Sequence, residues 1–170
     1  IIVIKSTVPP GTTQALQERH PENTFLFNPE FLTESRAWEN FISPDRKIVG
    51  FIGKNAEQAR FVLSLLPAAP LVSPSPEGNV PALRMSATEA ELVKYAANIY
   101  LLRKVNLASA IAAAAEKMGA NYENVRVGLA ADRRIGDSHL DVGHGGYRGF
   151  GGFCFPKDLD AFIQFSKSAG

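Results

Sequence analysis

The strongest candidate for covalent chemistry is the only cysteine of the chain, Cys154, in the segment GGFCFPKD at residues 151–158. Proline is favoured in the first turn of a helix, so Pro156 predicts a helix that begins there, with Cys154 just ahead of its N-terminus. Backbone N–H groups and the helix dipole stabilise a thiolate at such a position. The alternative is a buried, inert cysteine, the more frequent role of an unpaired one. The residues alone leave both interpretations open.

A second candidate pair is Lys94 and Asn98, which lie four residues apart in a predicted helix and therefore project from one face, one turn apart. An ammonium and an amide beside apolar surface can polarise a carbonyl or stabilise an oxyanion. The plainer interpretation is a solvated helix edge, because both residue types are common on exposed surfaces. The spacing permits catalysis without requiring it.

Three further polar residues follow predicted strands. Thr7 lies in the turn after the first strand, and Glu30 and Glu34 follow the strand that ends at Phe27. Ligands of open parallel sheets bind outside the carboxyl ends of the strands, so these three side chains are candidates for a crevice there. Ordinary turn chemistry, with prolines and a glycine ending a strand, is the alternative for each segment.

Apolar patterning predicts an α/β half followed by an all-helical half. Strands are predicted at 1–8, 24–27, 47–52 and 71–72, with helices at 13–19 and 56–66. After a Pro/Ser/Gly-rich linker at 74–78, a capping-box pattern at Thr88 and Glu91 predicts the start of one long helix that ends near Met118. At 1.5 Å per residue, about thirty residues give roughly 45 Å, a length that predicts packing against a partner subunit. Further helices are predicted at 122–131 and from Pro156.

Composition excludes several classes of function. Eighteen basic and seventeen acidic residues leave a formal charge of +1, so no global field would attract nucleic acid or an anionic membrane. No apolar run approaches the roughly 20 residues of a membrane span, and no signal peptide is recognisable, which predicts a cytoplasmic protein. The three histidines show no metal-ligand spacing, so no metal site is expected. Trp38 and the phenylalanines are expected in the core.

Six segments, in this order, resemble signatures of the UDP-glucose/GDP-mannose dehydrogenase family along nearly the whole chain. They are STVPPGT at 6–12, NPEFLTE at 28–34, PDR at 44–46, AELVK at 90–94 with Asn98, DRRIG at 132–136, and FGGFCFPKD at 150–158. The resemblance implies a C-terminal part of a Rossmann-type parallel-sheet domain at 1–84. A long helix would connect it to a helical central and dimerisation domain at 85–170, with a homodimer formed through that helix.

The resemblance also implies a chemistry, in which two hydride transfers to NAD oxidise the C6 hydroxyl of a nucleotide sugar to a carboxylate. UDP-glucose is the first choice of substrate, and GDP-mannose or another UDP-hexose is the alternative. The Cys154 thiolate would add to the C6 aldehyde, and a thiohemiacetal and then a thioester would form.

The implied roles of single residues follow from the same resemblance. Catalytic roles fall to Cys154, Lys94, Asn98, Asp158, Thr7 and Glu30, and cofactor contacts to Thr7, Glu34 and Lys157. Substrate contacts fall to Glu30, Phe31, Leu32, Lys94, Asn98, Arg134, Phe150, Gly151 and Phe155, with Arg134 reaching the diphosphate.

One family feature is missing from these residues: the G-x-G-x-x-G turn that binds the dinucleotide pyrophosphate. We therefore interpret the sequence as an internal fragment, and expect the isolated 170 residues to be inactive and unable to bind NAD tightly. Two other classes stay open. One is a simple hydroxyacid dehydrogenase, which also uses a helical Lys and Asn but needs no thiol, and the other is a non-catalytic oligomerisation module.

Overall fold

A computed structural model of the chain describes residues 1–79, 81–143, 146, 148–152 and 154–169. Within these ranges the side chains at 34, 154, 168 and 169 are outside the description. The chain divides into two compact units, residues 1–95 with 168–170, and residues 96–167. The domain boundary predicted between residues 84 and 85 stays a prediction.

The first unit alternates strands and helices, as the apolar patterning predicts. Its elements are β1 (Ile2–Ile4), α1 (Thr12–Arg19), β2 (Phe25–Phe27), a 3₁₀ turn (Glu34–Arg36), α2 (Ala37–Ile42), β3 (Arg46–Ile48), α3 (Ala56–Ser64), β4 (Leu71–Ser73) and the first turns of α4 (Ala87–Lys117). The second unit holds the rest of α4, then α5 (Tyr122–Ala130) and α6 (Cys154–Ala169).

The strands form two parallel pairs. β1 pairs with β2 in a register that sets Ile4 opposite Phe27, and β3 pairs with β4. An antiparallel bridge joins the pairs, in which the Phe27 N–H donates to the Gly50 carbonyl at 3.0 Å and the Gly50 N–H donates back at 2.7 Å. The α/β class is confirmed, but regular pairing covers only three residues of each strand, fewer than predicted for the first three strands.

Side chains of β2 and of the strand segment around β3 alternate between two apolar clusters, as the two-residue period of a strand requires. Leu26 and Val49 pack with Phe51 and with α3, while Phe27 and Ile48 pack with Ala87 and Ala90 of α4. The sheet is therefore covered by α3 on one face and by the start of α4 on the other. Burial on both faces explains why these strands are apolar at nearly every position.

Gly50 allows α4 to lie close to the sheet. A Cβ atom at this position would lie 2.7 Å from the Ala90 Cβ, 2.7 Å from the Ser86 carbonyl oxygen and 2.8 Å from the Ala87 Cα. Any larger residue would push the strand and the helix apart.

The capping box predicted at Thr88 and Glu91 is wrong, because the structure places it two residues earlier. The Ser86 N–H donates to Glu89 Oε2 at 2.6 Å, and the Glu89 N–H donates to Ser86 Oγ at 3.2 Å. This reciprocal pair satisfies N–H groups at the start of α4. Glu91 instead points into the first unit, where it is fully buried.

The segment between β2 and β3 holds two elements that the sequence did not predict, the 3₁₀ turn and α2. The expectation that Trp38 lies in the core is wrong, since it is 72% exposed on α2 with its ring 6.3 Å from that of Phe41. Among the described phenylalanines, Phe61 is exposed as well, so the expectation is wrong for that residue too. An exposed helix of six residues carries too weak a period to be recognised from sequence.

In the second unit, the buried side chains of α4 recur at helical spacing, at Leu102, Ala108, Ala112 and Ala115. The Asn121 side chain caps α5 by accepting from the Glu123 N–H at 2.9 Å. α6 begins at Cys154, two residues before the predicted start. Among the residues described, no helix is both long and apolar enough to cross a bilayer.

Candidate active site

Two of the predicted site residues follow strands that end at the same edge. Thr7 comes after β1 and Glu30 after β2, and the parallel register of Ile4 with Phe27 brings both strand ends together. Asn28 reinforces this edge, because its N–H donates to the Ile4 carbonyl at 2.9 Å and its buried side chain donates to the Ile48 carbonyl at 2.8 Å. This is the edge at which open parallel sheets bind their ligands.

The structure brings Lys94 to this edge as well. Its ammonium donates to the main-chain carbonyl of Glu30 at 2.6 Å and lies 5.7 Å from the centre of the Phe31 ring. The guanidinium carbon of Arg46 lies 3.9 Å from the same ring centre, which is cation–π distance. Glu30 and Phe31 are thus placed with Lys94 in one group, and their predicted roles stay predictions.

Lys5 and Asn28 are contacts of this group that the sequence reading missed. The Glu30 carboxylate pairs with the Lys5 ammonium, which also donates to the Asn28 side chain at 2.8 Å. A signal was present, because an asparagine and a lysine that directly end apolar strands must direct polar groups to the strand edge. Lys5, itself held by Asn28, therefore restrains the side chain of Glu30.

Burial lowers the pKa of two basic side chains near this group. The first is Arg46, where the nearby Asp45 carboxylate partly opposes the effect. Burial likewise lowers the pKa of Lys47, where the Glu30 carboxylate acts to raise it and the Lys5 ammonium to lower it further. The edge thus gathers four basic side chains, Lys5, Arg46, Lys47 and Lys94, and two carboxylates, Glu30 and Asp45. The excess of positive charge is suited to anionic ligands.

A second group forms within the second unit around Asp158, which is 1% exposed. Asn98 Nδ2 donates to Asp158 Oδ2 at 2.5 Å, and Lys157 Nζ donates to Asp158 Oδ1 at 2.7 Å. Each carboxylate oxygen therefore has a donor, and the amide of Asn98 is held in one orientation. Three predicted site residues are brought together here.

Arg134 lies on the surface of the second unit, with its side chain 89% exposed and its guanidinium 2.6 Å from Asp132 Oδ2. This hydrogen bond raises the pKa of Arg134. Arg134 also lines a cavity of about 200 Å³ between α4, α5 and the turn that follows, together with Lys104, Leu107 and Ile135. Among the described residues of this unit, no hydrogen bond or ion pair joins Arg134 to Asp158.

The remaining predicted residues are placed less closely. The ring of Phe155 lies 6.1 Å from that of His139, whose pKa is lowered by burial and by the nearby Lys104 ammonium. Leu32 is exposed, and Phe150 and Gly151 are partly buried. The side chains of Cys154 and Glu34 lie outside the described residues, so their predicted roles stay predictions. Among the described side chains no group of three metal-ligating residues occurs.

Comparison with protein families gives two matches to one family. Residues 1–65 match the NAD binding domain of the UDP-glucose/GDP-mannose dehydrogenase family, and residues 88–170 match the central domain of the same family. The two matched segments follow each other in the chain without overlap.

Individual relatives with similar sequences carry names of the same family. The chain is 39% identical over 163 residues to a UDP-glucose 6-dehydrogenase of Rickettsia typhi, covering 94% of this chain and 35% of the relative. It is 36% identical over 180 residues to one of Haloferax volcanii, covering 100% of this chain and 40% of that protein. The chain therefore spans well under half of the length of these relatives.

Solved structures resemble it over the same range. A UDP-glucose dehydrogenase from Pyrobaculum islandicum is similar with a TM-score of 0.78 and 37% identity, covering 99% of this chain and 37% of that one. A GDP-mannose dehydrogenase from Pseudomonas aeruginosa is similar with a TM-score of 0.63 and 25% identity, covering 98% of this chain and 37% of that one.

Proposed function

The chain belongs to the UDP-glucose/GDP-mannose dehydrogenase family, and we propose that the protein containing it oxidises the C6 hydroxyl of UDP-glucose to a carboxylate with NAD as the oxidant. One observation carries the proposal: each polar residue of the predicted pair on α4 is held by another predicted site residue of its own unit. Lys94 donates to the Glu30 carbonyl at 2.6 Å, and Asn98 donates to Asp158 at 2.5 Å.

The residues at the carboxyl edge of β1 and β2 fit a nicotinamide cofactor. Thr7 follows β1 at the strand edge where dinucleotide-binding sheets hold their ligand, and the cations around Glu30 favour an anionic one. We assign cofactor contacts to Thr7, Glu34 and Lys157. A nicotinamide cofactor bound at this edge would supply the hydride acceptor for the oxidation.

Cys154 acts as the nucleophile of the second oxidation. Its thiolate adds to the C6 aldehyde, which gives a thiohemiacetal; loss of hydride from C6 then leaves a thioester. Water attacks the thioester carbonyl, the carboxylate product leaves, and the thiol is regenerated. The position of Cys154 at the first residue of α6 supports this role, because N–H groups at a helix start favour a thiolate.

Lys94 and Asn98 stabilise the negative charge that develops on the C6 oxygen during these steps. Preorganisation matters here, since a donor already fixed by other contacts needs no reorientation in the transition state. The Glu30 carbonyl fixes the ammonium, and the buried Asp158 fixes the amide. We assign the orientation of the attacking water to Asp158, and the positioning of water and sugar to Thr7 and Glu30.

We assign contacts with the substrate to Phe31 and Leu32 in the first unit and to Phe150, Gly151 and Phe155 in the second. Contact with its diphosphate is assigned to Arg134, whose guanidinium is exposed. The names of the relatives favour UDP-glucose over GDP-mannose or another UDP-hexose.

We further propose a homodimer through α4, supported by the large apolar side chains that this helix leaves exposed, among them Tyr100 and Leu107. The cytoplasmic location stays a prediction.

The test counts NADH formed per sugar consumed when the full-length protein is supplied with NAD and a panel of nucleotide sugars. We expect two per sugar, with UDP-glucose the best substrate. Cys154→Ser should abolish carboxylate formation, while Ser166→Ala, an exposed change on the same helix, should not. One NADH per sugar with unchanged turnover of Cys154→Ser would fit a simple hydroxyacid dehydrogenase instead. No NADH with any sugar would fit a non-catalytic oligomerisation module.

A further inference from the structure

Glu91 is a buried carboxylate to which the function described above gives no task. It is 0% exposed and lies on the second turn of α4. Its Oε2 accepts from the Gly11 N–H at 2.6 Å, and its Oε1 accepts from the Thr13 N–H at 2.8 Å and from Thr13 Oγ1 at 2.5 Å. A buried carboxylate is costly unless its oxygens are satisfied, so three donors on one side chain indicate a built contact.

The Gly11 donor ends the connection between β1 and α1, which also carries Thr7, and the two Thr13 donors lie in the first turn of α1. Val8, the next residue, packs against the apolar cluster that contains Ala87 and Ala90 of α4. The connection is therefore attached to α4 twice, by an apolar contact at Val8 and by the Glu91 carboxylate at its far end. Residues 7–13 cannot shift along α4 without breaking one of these attachments.

Glu91 does not act as a helix cap for its own helix, since Ser86 and Glu89 form that cap. Its partners lie 78 and 80 residues earlier in the chain. Two of the three donors are backbone N–H groups at the start of α1, where the helix dipole favours a negative charge. The contact thus joins α4, which carries Lys94, to the end of the segment that carries Thr7.

We propose that Glu91 is a positioning residue of the dehydrogenation: it fixes the β1–α1 connection on α4 and thereby sets Thr7 relative to Lys94. Lys94 lies three residues after Glu91 on the same helix, so both side chains belong to neighbouring turns of one face. The inference rests on the proposed function, because it assigns Glu91 to the reaction that Thr7 and Lys94 serve.

The test begins with Glu91→Gln in the full-length protein. An amide has one acceptor, so its NH₂ would face the Gly11 N–H, and two donors cannot bond each other. We expect kcat to fall about 10- to 100-fold, since displacements of about 1 Å have effects of that size on catalysis. The KM for the nucleotide sugar should change less than about threefold. Glu18→Gln, an exposed change on α1, is the matched control and should leave both constants unaltered.

A double-mutant cycle separates positioning from general destabilisation. If Glu91 acts through Thr7, then Glu91→Gln should cost little further activity once Thr7→Ala is present, because the positioned group is gone. A full additional loss of about 10-fold or more in the double variant would overturn the proposal. Thr13→Val, which removes only the hydroxyl donor, serves if Glu91→Gln fails to fold, and its kcat should fall by less, with the same non-additivity.

Amide hydrogen exchange gives a readout that does not depend on turnover. Glu91→Gln should accelerate exchange at Gly11 and Thr13, and Glu18→Gln should not. If the wild-type protein oxidised no nucleotide sugar, the proposed function would fall, while faster exchange would still show that Glu91 holds the connection. Unchanged exchange at both amides would overturn the inference even in an active enzyme.

Discussion

Replacing Gly50 with alanine tests how closely α4 must approach the sheet. The added Cβ would lie 2.7 Å from the Ser86 carbonyl oxygen and the Ala90 Cβ, and 2.8 Å from the Ala87 Cα. Carbon atoms in ordinary contact lie about 3.5–4.0 Å apart, so each overlap is close to 1 Å. Two of the three atoms are backbone, which cannot rotate away, so the helix or the strand must move.

Overpacking of a core by a methyl group costs about 1–3 kcal/mol, and the backbone overlaps place Gly50→Ala at the upper end of that range. At roughly 2–4 °C per kcal/mol for a chain of 170 residues, the melting temperature should fall by about 6–12 °C. We expect kcat to fall too, because α4 carries Lys94 to the strand edge.

Scanning calorimetry of the full-length protein measures this change, with Gly128→Ala as the matched control. No atom lies within 4 Å of a Cβ at Gly128, which is inside α5, so that variant should gain about 1 kcal/mol from helix propensity. A Gly50→Ala protein as stable as the wild type would refute the close approach of α4 to the sheet.

Three further outcomes are expected. Ser86→Ala should lower the free energy of unfolding by about 1 kcal/mol, and Thr88→Ala by less than about 0.5 kcal/mol. Urea denaturation measures both values, and the reverse order would contradict the observed cap. The pKa of His139 is lowered below 6.5 in the folded chain, so the contribution of this residue to stability is complete above pH 6.5 and is lost as the pH falls through the folded pKa. Asparagine is compatible with the φ of 65° at this position. The melting temperature of His139→Asn should therefore fall less than that of the wild type between about pH 7 and 5. Asn98→Asp sets a second carboxyl beside the buried Asp158 and keeps one proton bound in the folded state, so stability should fall by about 1–3 kcal/mol between pH 5 and 8, whereas a flat profile would argue against the contact.

Sequence reasoning recovers those parts of the fold in which local pattern and burial agree. The apolar runs that become β2 and β3 were recognised because both of their faces are covered, and α4 was recognised because its period persists over 31 residues. α2 was missed because it is short and exposed, and it is held by a contact with no periodic signal, the Thr33 N–H donating to Asn40 Oδ1 at 2.9 Å.

The start of α4 shows why spacing alone misassigns residues. Ser86 with Glu89 and Thr88 with Glu91 both satisfy the capping-box spacing, and the sequence contains nothing local to separate them. The N–H groups of Gly11 and Thr13, about 80 residues earlier in the chain, bind the Glu91 carboxylate, so Glu91 is not available for the capping box. For the candidate site, the polar residues Lys5 and Asn28 at the ends of apolar strands could have been recognised from the sequence. The contacts of Lys5 with Glu30 and of Asn98 with Asp158 were not predicted, because each joins residues that are distant in the sequence.

The distance along the chain between Glu91 and its partners also sets an order of events during synthesis. Ribosomes add roughly 5–20 residues per second, so the amides at Gly11 and Thr13 are made about 4–16 s before the carboxylate that binds them. Until then the connection between β1 and α1 lacks this contact with α4. A shortened translation product that ends before Glu91 would therefore leave the N–H groups of Gly11 and Thr13 without this acceptor.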